Sequence, residues 1–225
     1  MKSIPEVTEK IILESPYFLE ALRDGLLNIS AVSRKIKPFV ESELKKEVKT
    51  AAIVMAMKRF SENINPNKDK KLQSILNNLS EITVRSNLVE FTFKNSDSLK
   101  TKQVKLISKI NEQKDTFLTL SRGVFETTMV ISKSEVEIIK NLYKDEICLS
   151  NINNLSSITI KLPKENTEIA GVYYYLLKRL AWRGINITAV ISTTNEFTIV
   201  LKEEEINTAF SILNQLKKTA FTDIL

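Results

Sequence analysis

One order of elements, strand, helix, strand, strand, helix, runs twice through the last two thirds of the chain, and two copies of one module explain it most simply. In the first copy apolar and polar residues alternate from Glu81 onward. Val89, Phe91 and Phe93 fall on one side and Leu88, Glu90 and Thr92 on the other, which predicts a strand. Helical spacing follows over residues 99–110 (Leu99, Val104, Leu106, Ile107, Ile110), then strands over 116–120 and 127–131 turn around Arg122-Gly123, and a helix covers 136–142. The second copy predicts a strand at 158–162, a helix at 169–180, strands at 185–191 and 197–201, and a helix at 206–216. A shift of about 70 residues lays Glu126-Thr127-Thr128-Met129-Val130-Ile131 over Glu196-Phe197-Thr198-Ile199-Val200-Leu201 and keeps the glutamate, a threonine and a valine in place.

Ahead of the repeat the period is helical. Ser15-Pro16 reads as a cap with proline in the first turn, and Gly25 as a stop. Asn28 caps a second helix through Val32 and Ile36, which Pro38 kinks or restarts so that Phe39, Val40 and Leu44 continue its face. Thr50 opens a third through Ile53, Met57 and Phe60. Such a set suits a helix-turn-helix or winged-helix domain, and equally any small trihelical bundle. The breaker cluster at residues 63–68 marks the boundary. The expected division is a helical domain at 1–66, a linking helix at 67–80, and modules at 81–150 and 151–225.

Composition removes much chemistry. With no histidine the chain has no Ser-His-Asp or Cys-His constellation, and Cys148, its single cysteine, has no partner for an intrachain disulfide. No carboxylate pattern singles out an acid and base pair, and no glycine-rich phosphate loop is present, so a non-catalytic protein without a cofactor or metal is expected. The N-terminal residues lack the apolar core of a signal peptide and no run is long enough to cross a bilayer, so a cytoplasmic location is expected. Residues 1–75 carry 14 basic and 10 acidic side chains while the remainder is nearly balanced, so any nucleic-acid contact belongs to the first third. Arg34, Lys35, Lys49, Lys58 and Arg59 are the candidates. Against them, Ala51-Ala52-Ile53-Val54-Met55-Ala56-Met57 offers few base-reading side chains.

Three segments of the second copy, Ala170-Gly171-Val172, Gly184-Ile185-Asn186-Ile187 and Phe197-Thr198-Ile199-Val200-Leu201, resemble the ACT regulatory domain, closest to the tandem pair at the C-terminal end of aspartokinases. The motifs cover residues 156–217. Over 81–146 the likeness rests on element order and on the repeat. The resemblance implies ferredoxin-like βαββα modules that pair side by side, the expected partners being a second copy of the chain and an amino acid or similar small effector held at the seam. The residues carried over as effector contacts are Asn166, Thr167, Glu168, Ile169, Ala170, Gly171, Asn186 and Ile187.

Physical chemistry is compatible with that transfer. Gly171 at the mouth of a helix lets the backbone approach a carboxylate that also sees the positive helix end, and Asn186 offers both a donor and an acceptor. Gly171 and Gly184 serve turn geometry equally well. Two departures stand out: Ala170 occupies a position that is often proline in the family, and Glu165 and Glu168 place two negative charges in the loop. A ligand-responsive DNA-binding regulator and a ligand-free scaffold for dimerisation or docking are the alternatives.

Overall fold

The computed structural model describes residues 2–64, 66–110 and 116–218. The chain divides into two compact units, residues 1–69 and 70–225.

The first unit is helical: α1 (Ile4–Leu13), α2 (Pro16–Arg23), α3 (Ile29–Leu44) and α4 (Thr50–Glu62). Ser3 and Glu6 form a reciprocal capping box at α1, and Asn28 Oδ1 accepts from the Ala31 N–H at 3.0 Å to cap α3. Val7, Ile12, Leu22, Val32, Ile36, Val40, Ile53 and Met57 form the core. Pro38 neither ends nor restarts its helix, because it and Arg34, whose carbonyl it leaves without a helical donor, are both exposed. Among the described residues no strand precedes Ile82, so the four helices carry no β-hairpin of the kind a winged helix requires.

The second unit is α+β. After α5 (Pro66–Asn77), its order is β1 (Ile82–Lys94), α6 (Asp97–Ile110), β2 (Leu118–Arg122), β3 (Glu126–Ser132), α7 (Val136–Leu142), β4 (Cys148–Lys161), α8 (Val172–Ala181), β5 (Ala189–Ser192), β6 (Glu196–Lys202) and α9 (Ile206–Lys218). Single 3₁₀ turns at Lys133–Glu135 and Glu203–Glu205 lead into α7 and α9, so the repeat extends to its short connections. The strands form one antiparallel sheet in the order β2-β3-β1-β4-β6-β5.

The modules are therefore not two separate three-stranded units. β1 and β4 are each thirteen or fourteen residues long and pair along their lengths, so that Ile82 meets Ile160 at one end and Phe93 meets Cys148 at the other. The second half of β1 joins β3 in module 1, while its first half lies beside the β4 segment that joins β6 in module 2. Each module takes its fourth strand from the other's leading strand, giving the ferredoxin-like order twice. Register breaks between Arg85 and Leu88, where Asn87 adopts a left-handed φ of 57°, and Asn154 on the partner strand does the same at 56°. The shift changes which residues point to which face. Leu88 and Leu155 pair at the sheet centre and pack with Val130 and Val200 on one side.

The other face carries the two larger cores. Val89, Phe91 and Phe93 pack under α6 and α7 through Leu99, Leu106, Ile110 and Ile139. Ile158, Ile160, Phe197 and Ile199 pack under α8 and α9 through Leu176, Leu180, Ala209 and Leu213. The expected linking helix joins this second core: Ile75, Leu76 and Leu79 are buried in it and Leu72 packs against it. On α6, Val104 and Ile107 face outward although both match helical spacing, since the buried stripe is Leu99, Leu106 and Ile110.

Candidate functional site

In module 2 the chain leaves β4 through Pro163, makes a 3₁₀ turn over Lys164–Glu168, and enters α8 at Gly171. This segment contains six of the eight predicted effector contacts. Asn166 is buried, and its Nδ2 donates to the Pro163 carbonyl and to the Thr194 carbonyl, both at 2.8 Å. Its two amide hydrogens are thus committed to fastening the loop to the tip of the β5–β6 hairpin. Thr167 and Glu168 are exposed on the outer side of the turn, Ile169 packs against the module core, and Ala170 is exposed.

Gly171 is the N-cap of α8 with φ +101°, a conformation that side chains resist. A Cβ placed there would meet only Leu72 Cδ2 at 3.8 Å, so the backbone angle rather than crowding selects glycine. No side-chain hydrogen bond caps the helix, so its first N–H groups lack the side-chain partner an N-cap residue commonly supplies. Beside this helix head, Tyr173 stacks on Phe197 with ring centroids 4.8 Å apart and shares a 2.6 Å hydrogen bond with Ser192 Oγ at the end of β5. Asn195 Oδ1, on the hairpin tip next to Thr194, is buried and has no hydrogen-bond partner among the described residues.

Asn186 and Ile187 lie elsewhere. They follow the C-terminal end of α8, where Gly184 at φ +72° closes the helix and the Ile185 N–H returns to the Leu180 carbonyl. A ten-residue helix is about 15 Å long, so Asn186 and Gly171 occupy opposite ends of α8 within one chain. Ser192, which sequence spacing did not single out, is the β5 residue brought to the helix head.

Module 1 uses the same scaffold differently. Asn95 does the work of Asn166: its Nδ2 donates to the Gly123 and Val124 carbonyls at 2.9 and 3.1 Å, and its Oδ1 accepts from Thr127 Oγ1 at 2.7 Å. At the head of α6, Ser96 Oγ accepts from the Leu99 N–H at 3.1 Å as a cap. The Glu146 carboxylate sits on the same helix head. It accepts from Ser96 Oγ and Ser98 Oγ, each at 2.7 Å, and pairs with Lys102 Nζ at 2.9 Å. The Glu146 side chain is only 3% exposed. Burial opposes its charge, yet the hydrogen bonds from Ser96, Ser98 and Lys102, together with the lysine charge, hold its acidity at about 2. The neighbouring Tyr143 hydroxyl is pushed up to about 12 by burial and by the Glu146 charge.

In the helical unit, Arg34 and Lys35 on α3, Lys58 and Arg59 on α4, and Lys49 at the N-cap of α4 are all exposed. An open cavity of about 450 Å³ lies in that unit, lined by Lys2, Glu6, Val7, Lys10, Phe39 and Glu43, with Lys2 and Glu43 paired at 2.6 Å. Among the described residues there is no cluster of three or more metal-ligating side chains, and no helix is long and apolar enough to cross a membrane.

No family model matches the chain, and no curated protein matches it. Its fold is similar to that of the Clostridium acetobutylicum aspartate kinase, with a TM-score of 0.51 at 14% identity over 61% of this chain and 34% of that one. It is also similar to the aspartokinase alpha and beta subunits, with a TM-score of 0.50 at 10% identity over 62% of this chain and 99% of that one. The ligand-free regulatory subunit of aspartate kinase from Thermus thermophilus gives a TM-score of 0.50 at 9% identity over 64% and 99% of the two chains. The likeness thus spans about a third of the Clostridium kinase and nearly all of the regulatory subunit. At these identities it is a likeness of fold: the α+β arrangement with its antiparallel sheet is that of aspartokinase regulatory subunits, as the sequence resemblance implied.

Proposed function

We propose that the chain is a non-catalytic regulatory protein that binds an amino acid or similar small effector at the head of α8 in module 2. The observation that carries this reading is the uncapped helix start at Gly171, where a carboxylate would meet free N–H groups and the positive helix end. The unpaired Asn195 Oδ1 on the adjoining hairpin tip supplies an acceptor suited to an ammonium group. Tyr173 and Ser192 add hydroxyls beside the same helix head. Asn166 holds the loop and the hairpin together and so acts by positioning rather than by contact.

Asn186 reaches the same ligand only if a second chain contributes it, since α8 separates it from Gly171 within one chain. A homodimer with its effectors at the seam satisfies both predicted contact groups. Effector binding then shifts the packing of two chains by the difference in affinity between the bound and open arrangements.

A thermal-shift screen against the twenty amino acids at millimolar concentration tests the proposal. One compound should raise the melting temperature by a few degrees, and Gly171→Val should abolish the rise while the variant still folds. Flat curves for the whole set would refute amino-acid sensing. A second reading, in which the helical unit passes the signal to nucleic acid, is favoured by the exposure of all five candidate cations. It requires binding to duplex DNA that weakens steeply with salt and is lost when Lys58 and Arg59 are both changed to alanine.

A further inference from the structure

We propose that Glu146 is a built-in carboxylate ligand of module 1, closing that module to external carboxylates and confining effector binding to module 2. The two helix heads occupy equivalent places in the repeat but differ in what stands before them. At α6 a hydroxyl cap, a second hydroxyl and an ammonium converge on one carboxylate: Ser96, Ser98 and Lys102 all contact Glu146 within 2.9 Å. That carboxylate arrives from a different element, the connection between α7 and β4, about fifty residues further along the chain. At α8 the N-cap is glycine, and the positions matching Ser98 and Lys102 are Tyr173 and Leu177. The approach to β1, which matches the approach to β4, buries Leu79 in the module core and leaves Glu81 exposed. In module 2 the loop carboxylates Glu165 and Glu168 are exposed, and no side-chain hydrogen bond caps α8.

Geometry explains why the internal group prevails. A tethered carboxylate already held by the Glu146 N–H bond to the Tyr143 carbonyl loses little freedom on binding, whereas a free anion must lose its translational freedom. The Glu146 side chain is itself only 3% exposed, so water has little access to the carboxylate that Ser96 and Ser98 hold. The second module would then hold one effector per chain, and the first would serve as a rigid half of the sheet.

This inference deepens the reading above, and its test needs no effector, so the two fail separately. Removal of the tethered group leaves a vacancy of known chemistry, which formate fits. The Glu146→Ala variant should melt below the wild type, and 100–200 mM sodium formate, on the order of the weak millimolar affinity expected for so small an anion, should restore several degrees. Sodium chloride at equal ionic strength should restore much less, and the wild type should show no difference between the two salts. Glu146→Asp, whose shortened side chain cannot reach both serines, provides a milder variant with the same expected formate preference, reduced in size. If neither variant distinguishes formate from chloride, the internal-ligand assignment is overturned, whatever the amino-acid screen reports.

Discussion

Asn87 and Asn154 sit one repeat apart on neighbouring antiparallel strands, and both take the left-handed backbone that few residues adopt, at φ 57° and 56°. Each immediately precedes a leucine, and those leucines, Leu88 and Leu155, face each other at the centre of the sheet. The pair of bulges is what lets each long strand present one face to its own module and a re-aimed face to the other.

Asparagine tolerates this conformation and glycine tolerates it better, whereas a β-branched residue does not. Asn154→Val should cost about 1–2 kcal/mol in urea unfolding. Asn154→Gly should be neutral within about 0.5 kcal/mol, and equal losses for both would show that the side chain rather than the backbone angle matters.

Glu146 makes the second unit sensitive to acid. Its folded pKa, held at about 2, lies below that of an unfolded glutamate, so its contribution is present in full above the ordinary carboxylate range. That contribution is lost as pH falls from about 4.5 toward 2, and its ceiling is about 3 kcal/mol. The groups facing it are Lys102 from α6 and Tyr143 at the end of α7. Lys102→Met should move the acid limb of a stability profile to higher pH, and an unmoved limb would mean the lysine does not hold the charge.

Glu90 shows the opposite sign. It is 7% exposed on β1 between Val130 and Ile152, and burial pushes its pKa up. The folded state favours the protonated form, so this residue costs stability as pH rises through its raised folded value. Glu90→Gln should raise the urea midpoint at pH 8, with the gain disappearing at low pH. A pH-independent effect would point to packing instead.

Asn166 separates positioning from contact. Both of its amide hydrogens are donated to backbone carbonyls, so Asn166→Asp, which keeps the shape but removes the donors, should destabilise as much as Asn166→Ala, by about 1–3 kcal/mol. An aspartate variant with wild-type stability would show that the amide is free to serve a ligand.

The hairpins and the helix over Val136–Leu142 were legible because periodicity and turn residues within a short window determine them. The start of β4 was not. Cys148-Leu149-Ser150-Asn151-Ile152-Asn153-Asn154 has three asparagines and no clean alternation, and it is held as strand by β1, whose sequence lies more than fifty residues away. For the same reason β5 was expected from 185 but begins at Ala189, once the chain has left the Gly184 turn. In the candidate site, Gly171 announced itself by residue type, and its positive φ accounts for the glycine. Ser192 carried no local signal, because only the return of β5 along α8 brings it to Tyr173. Glu146 was equally silent, since its partners belong to another helix.

Shared leading strands also set the order of events when the chain is made. As the polypeptide emerges, β1, β2 and β3 can associate while β4 is still unsynthesised, leaving the long side of β1 as an open edge of Leu88, Glu90 and Thr92 backbone. Any second nascent chain in the same state offers a matching edge. The exposure ends only when the stretch beginning at Cys148 arrives, so a slow passage through the codons just before it would favour mispaired chains over correctly closed ones.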